Sequence, residues 1–217
     1  MVNLKERENY LVIILLIYKS SQTSVLSISP ITSILFLLYL AYIFLKRNIK
    51  IGNFFVYFTI LYYVILIIYF LQFGWIDFFL SVYIYIKFLI GYLAIKILNV
   101  QFFKYFIKVV YIGSLIVIPF YIFQILFLEE TFYLLGILQN NVSFLEFKND
   151  NFANLFLFSI KNVSGSELRN SGFMWEPKGF ANILILALIF NFIIKKKEVF
   201  NKQNILFFLM LLTTFST

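Results

Sequence analysis

Arg169, Glu176 and Lys178 span ten residues of the string Arg169-Asn-Ser-Gly-Phe-Met-Trp-Glu-Pro-Lys-Gly-Phe-Ala181, in a chain that is 62% hydrophobic. No other stretch crowds cations, a carboxylate, glycine, proline and tryptophan together. Arginine presents a planar fork of donors to phosphate oxygens, and lysine adds a point charge. Pro177 suits the first turn of a helix, where its missing N–H would have no intrahelical partner. A helix that starts there aims its positive end and its amide N–H groups at whatever the loop holds. Phosphate is the ligand such a place receives. Glu176 is the nearest carboxylate for taking a proton from an attacking hydroxyl. The chain has no histidine and no cysteine, so proton transfer falls to carboxylate, lysine, tyrosine or the substrate itself.

Each of these residues also has a plainer role. Arg169 can bind lipid headgroups or pair with Glu167, and Glu176 can be a first-turn carboxylate facing the helix dipole. Trp175 and Phe173 read as interfacial anchors, with stacking on a ligand as the sharper alternative. Gly172 serves a turn. A second cation, Lys87, falls near the middle of an apolar run, where a bare ammonium facing lipid costs at least about 2.5 kcal/mol. Tyr83, Lys87 and Gly91 share a helix face at i, i+4 and i+8, a polar stripe with room for close packing. Pairing of Lys87 with tyrosine hydroxyls, or with the carbonyl freed by Pro119, competes with contact to a ligand.

The elements that position these groups are membrane-spanning. Charged residues make up 13% of the chain, its mean hydropathy is +0.93, and several apolar runs approach 20 residues, which excludes a soluble domain. The runs are unbroken and too long for the alternating segments of a strand barrel, so the class is all-α, a polytopic transmembrane helical bundle. Zinc, haem and iron–sulfur sites lack their usual ligands, and no cofactor or metal is expected.

About six complete spans and a truncated seventh follow. The charged start Lys5-Glu6-Arg7-Glu8 precedes a short run, Tyr10 to Tyr18, extended as a first span by Val25 to Ile28; a secretory signal begins similarly, but no small-residue cleavage site follows. Further spans cover Ile31 to Leu45, Phe54 to Phe73, Phe78 to Leu98 and the stretch after Lys108 to Leu128, the last kinked by Pro119. Residues 1–128 thus form a membrane domain of five spans. Residues 129–178 form a large loop, aromatic enough to fold back onto the bilayer as short helices. Residues 179–217 hold a sixth span, Gly179 to Ile194, and a seventh starting near Asn204. The chain reads as the first part of a longer protein. Gln124, Asn182 and Asn191 are expected to hydrogen-bond between helices.

The charges orient the bundle. With the N-terminus in the cytoplasm, Lys5, Arg7, Lys46, Arg47, Lys50, Lys96, Lys104, Lys108, Lys195, Lys196, Lys197 and Lys202 fall inside. Lys19, Lys148, Lys161, Arg169 and Lys178 fall outside with most of the acids. This puts the 129–178 loop and Arg169 on the extracytoplasmic face. It also accounts for the net charge of +8 as an orientation signal rather than a nucleic-acid patch.

Spans, a large outer loop and Arg-Asn-Ser-Gly-Phe at 169–173 with Trp-Glu-Pro at 175–177 opening the next helix resemble the O-antigen polymerase and ligase family of bacterial membrane glycosyltransferases. Residues 1 to 217 look like the N-terminal half of such a protein. Lys178-Gly179 stands where a small or amide residue would be expected after Glu-Pro. The resemblance implies polymerisation of undecaprenyl-diphosphate-linked oligosaccharide repeat units, for O-antigen or capsule polysaccharide, at the outer face of the inner membrane. Arg169 and Glu176 would be its catalytic pair, with Lys178, Gly172, Trp175 and Lys87 binding substrate. Its partners would be the lipid-linked glycan, the bilayer, and chain-length regulator and flippase proteins. The alternatives are a transporter or flippase of lipid-linked oligosaccharide, binding the same diphosphate without making a bond, and an inactive truncated remnant.

Overall fold

The computed structural model describes residues 4–21, 29–74, 78–131, 133–134, 152–155, 158–161, 169–174, 176–195 and 200–214. The helices among them with defined bounds are α1 Leu4–Ser21, α2 Pro30–Lys46, α3 Asn53–Phe73, α4 Phe78–Leu98, α5 Gln101–Leu126, α6 Pro177–Ile194 and α7 Lys202–Leu212. Four, α3 to α6, are long and apolar enough to cross a membrane. The chain is therefore an all-α membrane protein.

The count of six complete spans is not met among the described residues. Helix α1 absorbs Lys5-Glu6-Arg7-Glu8 into its first two turns, leaving a short apolar stretch. Ser20 and Ser21 then turn their hydroxyls back onto the carbonyls of Ile17 and Tyr18 where it ends. Val25 to Ile28, the expected continuation, lie outside the described residues. Helix α2 has 17 residues, the short end of what spans hydrocarbon, and α7 has 11.

Contacts divide the chain into two units that cut across the 1–128 segment. Unit 1 is Met1–Ser29 with Val100–Thr217, and unit 2 is Pro30–Asn99. In unit 2, α2 packs on α4, and Phe36, Leu40 and Ile43 of α2 and Leu93, Ala94 and Ile97 of α4 are buried. Helix α3 runs antiparallel to α4 and buries no residue. An aromatic ladder joins the two: Phe55 stacks on Tyr92 at 3.7 Å, the Thr59 and Tyr85 hydroxyls lie 2.9 Å apart, and Tyr62 donates to the Ser81 carbonyl. A helix this apolar with no buried face suits lipid on its outer side.

In unit 1, α5 packs on α1, α6 and α7. Val110 and Val117 of α5, Phe180, Leu184 and Ala187 of α6, and Phe207 of α7 are buried. Phe190 of α6 sets its ring edge-to-face against Phe103 and Phe106 of α5, at 4.7 and 5.3 Å. Helix α5 is assigned as one element through Pro119.

Part of the long loop departs from the expected short helices. Phe152–Leu155 (β1) and Phe158–Lys161 (β2) pair antiparallel, with Leu155 opposite Phe158 and Phe152 opposite Lys161. The alternation Phe158-Ser-Ile-Lys161 carries a strand period that the aromatic count of the loop obscures. The hairpin docks through Phe158, fully buried and stacked on Phe120 one residue past Pro119. Residues 128–131, next after α5, are helical as expected.

The α6–α7 connection is fixed by three asparagines. Asn201 caps α7, its Oδ1 accepting from the amides of Gln203 and Asn204. Asn191 Nδ2 donates to Asn204 Oδ1 at 2.7 Å and to Asn201 Oδ1 at 3.2 Å. Asn191 thus forms the expected interhelical bond, whereas Asn182 is exposed on α6. Asn191→Ala removes both of these bonds from a buried cluster, and should destabilise the protein by about 1 kcal/mol. Thermal unfolding in detergent checks it, with Asn182→Ala expected to melt like the wild type.

Candidate substrate site

The Arg169 loop folds because Asn170 and Gly172 leave the backbone one convenient path. The Asn170 carboxamide oxygen accepts from the Gly172 amide at 2.9 Å, an Asx turn, and Gly172 then takes φ +53°. The Met174 amide closes the next turn on the Ser171 carbonyl at 3.0 Å. An added Cβ on Gly172 would lie 2.8 Å from the Phe180 ring, so glycine is required by contact as well as by φ.

Three helices hold this turn. From α7, the Thr213 carbonyl accepts from the Asn170 amide at 3.0 Å, and Thr213 Oγ1 accepts from Asn170 Nδ2 at 2.9 Å. From α5, Gln124 Nε2 donates to the Arg169 carbonyl at 3.4 Å, a bond from helix to loop where one between helices was expected. From α6, Phe180 meets Phe173 edge-to-face at 5.1 Å. Phe173 also fills the space over Gly113 of α5, where an added Cβ would lie 2.9 Å from its ring. Asn170, Ser171, Phe173 and Met174 are all buried. Phe173 is therefore a core residue, and neither an interfacial anchor nor a surface for sugar. Buried Gly172 shapes the turn and offers no side chain to a substrate.

Arg169 enters this turn half-buried, with its Nε inside the protein. At the other end, Glu176 is the N-cap of α6 in extended conformation and Pro177 opens the helix, as its ring geometry favours. The Glu176 side chain makes no capping hydrogen bond and is exposed, so its carboxylate is not spent on the helix end. Lys178 is exposed in the first turn. Met174 covers Gly179 from the loop side, its Cβ 3.4 Å from where a glycine Cβ would stand.

No family model, curated protein or solved structure matches the chain. What the site can do therefore rests on its own residues.

Arg169 and Gly172 lie in this turn and Glu176 and Lys178 at the start of α6, which Phe180 ties to the turn through Phe173, all within unit 1. Trp175 and Glu167 lie outside the described residues. Lys87 belongs to α4 of unit 2, where its ammonium lies 4.5 Å from the centre of the Tyr83 ring. Within its own unit its partner is thus the aromatic face one turn back. An added Cβ on Gly91 meets nothing within 4 Å, so that glycine makes no close packing inside its unit. Thr213 and Gly113, which hold the turn, carry no sequence signal of their own. Asn170 does, because Asn-x-Gly is an Asx-turn spelling.

Proposed function

We propose that this chain takes part in polymerising undecaprenyl-diphosphate-linked oligosaccharide repeat units at the outer face of a bacterial inner membrane. The observation that carries the reading is the clamped turn. A half-buried arginine and an uncapped helix start, flanked by an exposed carboxylate and an exposed lysine, are fixed to one another at the end of a membrane-length helix. The positive-inside count supports an extracytoplasmic placement of that end.

In this reading the acceptor hydroxyl attacks the anomeric carbon of the donor sugar, and the bond from that carbon to the diphosphate oxygen breaks. Glu176 takes the hydroxyl proton. Arg169, Lys178 and the first-turn amides of α6 stabilise the charge that builds on the departing lipid diphosphate. Rigidity matters here because donors held in place before the reaction need no reorganisation during it.

The test is complementation of a polymerase-null strain by the gene carrying Arg169→Ala, with surface glycan length as readout at equal expression. Loss of long glycan is expected, with partial recovery by Arg169→Lys, which keeps charge but not the fork. Normal ladders from Arg169→Ala would remove Arg169 from the reaction.

A further inference from the structure

One corner of unit 2 gathers cations without acids. Lys46 and Arg47 end α2, Lys50 follows, and the last turns of α4, which runs parallel to α2, bring Lys96 to the same place. No Asp or Glu stands among the described residues of this unit.

The corner has a fixed backbone. Asn48, at φ +50°, terminates α2 in a Schellman motif, its amide donating to the Leu45 carbonyl and the Ile49 amide to the Phe44 carbonyl at 3.0 and 3.2 Å. Arg47 Nη1 reaches the Ile97 carbonyl at the end of α4, at 3.5 Å. Tyr92, stacked on Phe55, accepts from the Gly52 amide at 2.8 Å. Lys96 Nζ lies 5.9 Å from the Tyr92 ring centre and 3.5 Å from where a Cβ on Gly52 would stand.

Lys50 and Lys96 are exposed, and so are the apolar Leu45, Ile51 and Phe54, the last at 84%. Cations beside bare apolar side chains, at the end of membrane-length helices, match a molecule with an anionic head and hydrocarbon tails. We infer that this corner is a headgroup site for an anionic phospholipid, whose phosphate is received by Lys50 and Lys96 and whose chains lie along Ile51 and Phe54. A free phosphate would use the cations and leave the apolar flank uncovered.

The experiment follows thermal unfolding of the full chain in neutral detergent during titration with phosphatidylglycerol, phosphatidylcholine or inorganic phosphate. Phosphatidylglycerol should give a saturable rise in melting temperature that phosphatidylcholine and inorganic phosphate do not. Lys96→Ala should weaken the apparent phosphatidylglycerol affinity about fivefold, and Lys50→Ala/Lys96→Ala about 25-fold, since each basic side chain near an anionic surface contributes about that factor. Lys96→Arg should bind like the wild type. Should the double variant fail to fold, Lys96→Glu carries the same test, with a loss at least as large as that of Lys96→Ala. Unchanged phosphatidylglycerol affinity in the variants, or an equal response to inorganic phosphate, overturns the assignment.

Discussion

Gly172→Ala should destabilise the protein by about 2–5 kcal/mol, the largest effect on folding expected of any one-methyl addition in the Arg169 loop. Two independent costs meet at this position. A residue with a Cβ at φ +53° costs about 1–2 kcal/mol in backbone strain. The new methyl also overlaps the Phe180 ring at 2.8 Å, and forced repacking of a filled core costs about 1–3 kcal/mol. Phe180 is fully buried and cannot swing away, and the turn cannot back off because Asn170 is bonded to Thr213 on its far side. Thermal unfolding in detergent measures the sum. A cycle with Phe180→Ala separates its parts, because the overlap disappears when the ring does and the φ cost stays. The double variant should then be less destabilised than the two single losses added. A melt within about 0.5 kcal/mol of wild type would mean that the turn yields, and with it the rigidity assigned to Arg169.

Glycan assembly should suffer from Gly172→Ala as well, through position rather than chemistry. Gly172 is buried three residues from Arg169, so at equal amounts of folded protein a loss of activity reports a displaced guanidinium. Asn170→Ala should behave in the same direction, because it removes the Asx bond and the Thr213 bond together.

The spans of this chain are readable because lipid leaves the backbone few options. Expected boundaries at Phe54 to Phe73 and Phe78 to Leu98 fall within a residue of α3 and α4. Pro177 marked the start of α6 for a reason that holds locally, since its ring costs nothing at the first helical position. What the sequence hides is which faces meet. A helix that is apolar all round, as α3 is, has no stripe to point at a partner, so the pairing of α1 with α5 and the separation of α2 to α4 into their own unit leave no mark in the periodicity.

The described part of the first helix is not by itself apolar enough to span, for a related reason. Charges and serines at both ends shorten its apolar stretch, yet nothing local forbids a helix there, and the chain forms one from Leu4 onward. Within the candidate site, the types of residue were legible and their burial was not. Phe173 looks the same in sequence whether it stacks on sugar or on Phe180. Its fate is decided by Gly113, about 60 residues away on α5 and small enough to admit the ring.

Glu176→Gln should leave folding untouched and lower the rate of glycan extension by about 10²–10⁴, the usual worth of a positioned general base. The stability half follows from the structure. The side chain is exposed, makes no capping bond to α6, and glutamine has nearly its shape, so the melt should stay within about 0.5 kcal/mol of wild type. The activity half follows from the proposed reaction. An amide accepts a hydrogen bond but not a proton, so the acceptor hydroxyl would attack without being deprotonated. Extension measured on membranes with equal protein, using lipid-linked repeat units as donor and acceptor, reads both halves together. Glu176→Asp should recover part of the rate, because it restores the carboxylate about one methylene out of place, whereas a residue needed only to start the helix would be served at least as well by Asp, a better N-cap than glutamate. A Glu176→Gln chain that extends glycan at the wild-type rate would reduce Glu176 to the residue before Pro177, and the proton would have to leave by way of the substrate itself.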